Sequence, residues 1–204
     1  MPARFSLIIP AHDAAATLGV ALDTVASQVR EFDDVIVVAD CCRDDTAEIA
    51  RGAGATVIVS RKGHPGLARN AGLDAATGDY VLFLDADDWY VRDDALARLE
   101  HRIEETGSPD ILHFGFMWGS EPASAFGWRA HAYGCVWARA WSRHAIGGIR
   151  FAAEAMAEDL AFCRRVFAKP LHHETLDEVL LQYVFPSPTS YTGRWIAAGR
   201  PSAG

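Results

Sequence analysis

Five short apolar runs punctuate the first 116 residues, and helical patterning fills the spaces between them. The runs are 5–9 (FSLII), 35–39 (VIVVA), 56–60 (TVIVS), 80–84 (YVLFL) and 110–116 (DILHFGF). Each is short, apolar and bounded by turn or helix-start residues, so each reads as a buried strand. Pro10 ends the first. Asp13 then stands where an N-cap belongs, with Leu18, Ala21, Leu22, Val25 and Val29 at helical spacing after it. Asp45 followed by Glu48 has the form of a capping box, for a helix that Gly52 ends. A third helix is expected over 67–76 inside a Gly-punctuated stretch. Leu96, Leu99 and Ile103 mark a fourth, closed by Gly107 and Pro109. Strands spaced by helices of this length predict an α/β fold, with right-handed crossovers and a mainly parallel sheet covered on both faces. Ligands of such sheets sit beyond the carboxyl ends of the strands, here Pro10–Asp13, Asp40–Asp45 and Asp85–Asp88.

Charge collects at those ends. Residues 1–115 hold 10 basic and 20 acidic residues, whereas 116–204 hold 9 and 7. A net charge of −8 argues against a nucleic-acid or anionic-membrane surface, both of which need clustered cations. An acidic first half either repels itself or gathers around a cation. No run approaches the ~20 apolar residues of a membrane span, and the N-terminus lacks a signal peptide's apolar stretch. Four cysteines without a C-x-x-C pair fit neither a zinc site nor a disulfide scaffold, and point to a reducing cytoplasm.

From residue 117 the pattern changes. Residues 117–141 carry Trp118, Trp128, Trp137 and Trp141 with few aliphatics, enough either to pack a core or to build a pocket for a sugar face. Glu158–Asp159 open a helix expected to reach Lys169, and a short strand is expected over 179–185. The reading is one domain, 1–204, whose last part is a lobe grown on the first.

The tetrapeptide 85–88, Asp-Ala-Asp-Asp, is the sharpest chemical feature. In extended chain, residues two apart point the same way, so Asp85 and Asp87 can converge on a hard cation such as Mg²⁺ or Mn²⁺. Read alone, the same residues also fit an acidic turn capping the next helix. Asp40 is placed to accept a base N–H, while Asp44 and Asp45 read as helix caps. Arg69, in Gly-Leu-Ala-Arg-Asn, could hold a diphosphate or simply ion-pair with a neighbouring acid. Glu158 and Asp159 suit a helix N-terminus whatever else they do. His12, His64, His172 and His173 match no metal or triad spacing.

Taken in order, these pieces resemble the inverting glycosyltransferases of family 2, which have the GT-A fold. Residues 6–13 (SLIIPAHD) are similar to that family's S-x-I-I-P-x-x-N, and 37–46 (VVADCCRDDT) to its V-V-D-D-G-S-x-D-x-T. Residues 66–72 (GLARNAG) and 77–88 (TGDYVLFLDADD) resemble A-R-N-x-G and G-x-Y-[IV]-x-F-L-D-x-D-D. Phe151 with 158–159 resembles the F…E-D element, and 183–190 (YVFPSPTS) the closing Y-x-x-x-x-x-S. Ala39, Cys41 and Cys42 depart from the second motif but leave Asp40 in place.

The resemblance implies transfer of a sugar from a nucleotide-diphosphate donor to an acceptor hydroxyl, with inversion and with Mn²⁺ or Mg²⁺. It implies donor contacts from Pro10, Ala11, Asp13, Asp40, Arg69, Asp85, Ala86 and Asp87, with Asp40 on the base and Arg69 on the phosphates. Asp87 and Asp85 would hold the metal, and Asp159 would be the general base, with Glu158 the competing candidate. Residues 1–116 would form the nucleotide-sugar part and 117–204 the acceptor side. Contact with a membrane surface stays open. Two other readings are a nucleotide-sugar-binding module without turnover and a haloacid-dehalogenase-like phosphatase. The phosphatase expects Gly-Thr or a similar pair soon after the acidic motif, where this chain has Trp89–Tyr90.

Overall fold

All five apolar runs are strands, and the helices fall between them. The computed structural model describes residues 2–118, 121–122, 135–153 and 158–184. In chain order these form β1 (Phe5–Ala11), α1 (Leu18–Ala26), β2 (Asp34–Asp40), α2 (Thr46–Gly52), β3 (Thr56–Ser60), α3 (Pro65–Ala75) and β4 (Tyr80–Phe83). There follow β5 (Trp89–Tyr90), α4 (Ala95–Glu105), β6 (Ile111–Trp118), β7 (Glu121–Pro122), β8 (Arg139–Ser142), α5 (Arg143–Ile146), α6 (Glu158–Phe167) and β9 (His173–Tyr183).

One sheet runs through all of it in the order β3-β2-β1-β4-β8-β6-β9-β5, with β7 on β6. β3, β2, β1 and β4 are parallel, and so are β6 and β9; β8 is antiparallel to both β4 and β6. Parallel ladders are buried on both faces, which is why β1 and β4 read as unbroken apolar runs. Because β8 joins β4 to β6, the lobe and the first half share one hydrophobic core.

Several local expectations are corrected. Asp13 does not cap α1, whose N-cap is Thr17 and whose first residue is Leu18; Asp13 has φ +47° and its Oδ1 accepts the Arg43 N–H at 2.7 Å. That turn folds the β1–α1 loop onto the β2–α2 loop. α1 stops at Ala26, leaving Val29 exposed beyond it. Asp45 stands at the N-cap of α2 without a side-chain cap bond; Asp44 Oδ1 takes the Thr46 N–H instead. β9 starts at His173, six residues before the expected strand, because its polar first half is held by backbone pairing to β6 rather than by an apolar face. β5, β8 and α5 are too short to leave a period in the sequence. Of the tryptophans, Trp141 is fully buried and Trp137 stacks on Tyr183 at 4.3 Å, so both pack. Trp128 lies outside the described residues, as does most of 183–190.

α3 packs hard on β1. A Cβ placed on Gly72 would sit 2.4 Å from Cγ2 of Ile8, inside any real carbon contact. Gly72→Ala is therefore expected to overpack this seam and lower stability by about 1–3 kcal/mol. Gly52→Ala, where a Cβ meets nothing within 4 Å, should stay within about 1 kcal/mol of wild type. Urea denaturation of both variants checks this. Equal stability of the two would remove the packing argument.

Candidate active site

The carboxyl end of β2 starts a chain of contacts that fixes α3. Asp40 is 4% exposed, and its two oxygens accept the N–H groups of Lys62 (2.7 Å) and His64 (2.9 Å). His64 in turn caps α3: its Nδ1 accepts the Gly66 N–H, and Pro65 takes the first helical position. One turn on, Arg69 and Asn70 leave α3 toward the lobe. Asn70 grips Phe151 both ways, donating to its carbonyl and accepting its N–H at 2.8 Å each. Phe151 stacks on Phe162 and meets Phe83 edge-on. Gly66 makes this approach possible, since a Cβ there would lie 2.9 Å from Cβ of Phe151 and 3.0 Å from Cγ of Glu158.

Arg69, 3% exposed, is the centre of the site. Its Nη2 donates to Asp85 Oδ1 at 2.9 Å. Its Nη1 donates to Glu158 Oε1 at 3.0 Å and Asp159 Oδ1 at 2.8 Å. Residues from the end of β4 and the start of α6 thus share one guanidinium. Burial alone would lower its pKa; the charges of Asp159, Asp85 and Glu158 outweigh that and raise it. Three carboxylates on one cation leave excess negative charge in a dry place. Burial pushes the Asp159 carboxyl up, Glu158 and Asp85 add to that, and Arg69 and Arg139 oppose it. Of the two acids on α6, Asp159 is the more open, its side chain 19% exposed against 11% for Glu158.

The donor-side expectations fall at the strand ends. Ala11 and Ala86 are buried, while Pro10, Asp13, Asp85 and Asp87 are partly buried. Ala11 and Cys42 meet through the Cys42 thiol and the Ala11 carbonyl, and His12 Nδ1 lies 2.7 Å from the Asp40 carbonyl. Asp13, Cys42 and Asp44 also converge. Their carboxylates are already engaged by the N–H groups of Arg43, Ala15 and Thr46, so this group clamps two loops together. The hard-oxygen pair suited to Mn²⁺ or Mg²⁺ is Asp85–Asp87, where Arg69 takes a single oxygen of Asp85.

Two charged residues escaped the sequence reading. Asp88, 1% exposed, accepts the Val184 N–H on Oδ1 at 2.8 Å, tying the acidic loop after β4 to the residue that follows β9. Its Oδ2 finds no partner among the described residues. Burial first, then Asp85, push its pKa up to about 9. The sequence carried no signal that set it apart: residues 85–88 close a turn, with the Asp88 N–H on the Asp85 carbonyl at 3.0 Å, rather than running extended as expected. Arg139, the other, had none either.

Acidic loops at the carboxyl ends of the parallel strands thus meet the acidic start of α6 through Arg69. The model of the glycosyl transferase family 2 matches residues 6–145, and the chain belongs to that family. It is 34% identical over 128 residues to a PGL/p-HBAD biosynthesis glycosyltransferase of Mycobacterium bovis, covering 56% of this chain and 50% of that protein. The chain thus spans about half the length of the curated relatives it matches. The structure of S. aureus TarS 1–349 superposes with a TM-score of 0.78 at 25% identity, over 90% of this chain and 61% of that one. Its complex with UDP-GlcNAc gives 0.79 at 22%, over 93% and 60%. The mannosyltransferase PcManGT of Pyrobaculum calidifontis, in complex with GDP-Man and Mn²⁺, gives 0.73 at 18%, over 97% and 61%. The fold is GT-A, as the resemblance implied, and family membership removes the phosphatase reading.

Asp88 also predicts a pH dependence. In the metal-free native state it keeps its proton up to about 9, whereas the unfolded chain releases it near 3.8. Between those values the native state binds the extra proton, so this group's contribution to stability falls as pH rises. Asp88→Asn should gain on wild type with rising pH, by at most about 1.4 kcal/mol per pH unit and so by several kcal/mol near pH 8, with little difference near pH 4. Urea denaturation in chelator across that range measures it. A difference independent of pH would contradict the buried neutral carboxyl.

Proposed function

We propose that this chain is the catalytic part of a metal-dependent, inverting glycosyltransferase that moves a sugar from a nucleotide diphosphate to an acceptor hydroxyl. The carrying observation is the Arg69 hub. It brings the D-x-D loop of the donor side against Glu158 and Asp159 of the lobe, so residues expected to hold the donor and to activate the acceptor share one cation. In this reading residues 1–116 hold the nucleotide sugar and 117–204 face the acceptor.

On this reading Pro10, Ala11 and Asp13 contact the donor together with Asp40, which would accept a base N–H on the lone pairs that Lys62 and His64 leave. Arg69 supplies positive charge beneath the diphosphate. Asp87, with Asp85 beside it and Ala86 between, would hold Mn²⁺ or Mg²⁺, which neutralises charge on the departing nucleoside diphosphate. Asp159 accepts the acceptor's hydroxyl proton, and burial favours its work as a base by bringing its affinity for protons closer to neutral pH. The acceptor oxygen bonds to the anomeric carbon as the carbon–oxygen bond to the phosphate breaks, and its electron pair leaves with the nucleotide. A single displacement inverts the anomeric centre. UDP-sugars are the first donors to try, because TarS is seen with UDP-GlcNAc. The free thiols support a reducing, cytoplasmic setting. No helix among the described residues is long and apolar enough to cross a membrane.

A panel of nucleotide sugars with Mn²⁺ tests this by thermal shift and by release of nucleoside diphosphate with an acceptor extract. Binding should disappear in chelator and in Asp87→Ala. Asp159→Asn should keep donor affinity while transfer falls by roughly 10²–10⁴. Wild-type transfer in Asp159→Asn, or a product with retained configuration, would sink the mechanism. Binding without turnover would favour a sugar-nucleotide-binding module.

A further inference from the structure

The two acids of the D-x-D motif sit in a turn, so strand alternation does not aim them; the way the turn is held at its two ends does. Ala86 and Asp87 are its central residues, and the Asp88 N–H closes it on the Asp85 carbonyl. At the near end Arg69 holds one oxygen of Asp85 at 2.9 Å. Beyond the far end β5 pairs antiparallel with β9, Trp89 opposite Gln182 and Tyr90 opposite Leu181. The Val91 N–H reaches the Leu180 carbonyl at 3.0 Å, so Val91 and Leu180 are a hydrogen-bonded pair of that ladder.

Hydrogen-bonded pairs alternate along an antiparallel ladder. In this register the next ones back toward the turn are Trp89 with Gln182 and then Asp87 with Val184. A ladder that ran on would therefore give the Val184 N–H to the Asp87 carbonyl and draw Asp87 into extended pairing. It does not run on. The Val184 N–H goes to Oδ1 of Asp88 at 2.8 Å, a side chain standing in for the backbone acceptor that the turn takes away. Asp88 is 1% exposed, so water does not compete for this bond. Its other oxygen has no partner among the described residues, which leaves the Val184 bond as the work of that carboxyl.

We infer that Asp88 is a positioning residue: by taking the Val184 N–H it ends the β5–β9 ladder at Trp89 and keeps Asp87 in the turn, where it can share a cation with Asp85. The role toward a metal rests on the transferase reading above.

The test reads the metal itself. Binding of Mn²⁺ to the full chain, alone and with UDP, is followed by the electron paramagnetic resonance signal of free Mn²⁺. Wild type is compared with Asp88→Asn, Asp88→Leu and Val184→Pro. Asp88→Asn keeps the accepting oxygen and should bind Mn²⁺ within about threefold of wild type. Asp88→Leu removes the acceptor, and Val184→Pro removes the donor while leaving every acid in place. Both should weaken Mn²⁺ by about tenfold or more, the usual effect of losing a group that orients a metal ligand. Wild-type affinity in a folded Asp88→Leu or Val184→Pro overturns the inference. So does an Asp88→Asn as weak as Asp88→Leu, because the effect is then one of charge. If Asp88→Leu does not fold, Val184→Pro decides; if neither folds, Asp88→Asn decides alone. A wild type that takes Mn²⁺ neither alone nor with UDP overturns the metal reading of Asp85 and Asp87, and this inference with it. Unchanged variants beside a wild type that binds Mn²⁺ overturn the inference alone.

Discussion

A guanidinium with three carboxylates around it organises this molecule. Arg69 reaches from α3 to the loop after β4 and to the first turn of α6, segments 16, 89 and 90 residues away in sequence. Removing one partner of a buried ion pair strands the other, which typically costs about 3–5 kcal/mol. The cluster therefore holds the lobe against the first half of the sheet with a directional contact that apolar packing alone could not supply. Burial and the surplus of carboxylates together raise the proton affinity of Asp159.

The motifs of the sequence turn out to be structural devices before they are chemical ones. Asp40 holds Lys62 and His64, His64 caps α3, Arg69 gathers the acids, and Asn70 holds Phe151. Each link is one or two hydrogen bonds, and each is buried enough to be worth more than it would be in water. The contacts run unbroken from the end of β2 to the acids on α6. Short polar motifs far apart in the chain are thereby brought into one contiguous set of contacts.

The donor half was readable because strand patterning is local. Five apolar runs and the helices between them predicted a mainly parallel sheet, though not the order of its strands, and the carboxyl-end rule then pointed to Pro10–Asp13, Asp40–Asp45 and Asp85–Asp88. Asp13 was misread as a cap since its type fits one; only its positive φ and the bond to Arg43 show it turning a loop instead. Asp88 sat in the same acidic run, yet nothing local said that its side chain would be buried under β9.

Arg139 and β8 mark where sequence reading ends. A four-residue strand has no period to detect, and its place between β4 and β6 depends on pairings made at long range. By itself the sequence determined the fold class, the family and the strand ends that bear the acids, since those follow from spacing and hydrophobicity along the chain. Only the tertiary structure decided which acids share Arg69 and which acid is buried neutral. Those outcomes depend on burial and on charges meeting from distant segments, and electrostatic energy is set by distance through space rather than along the chain.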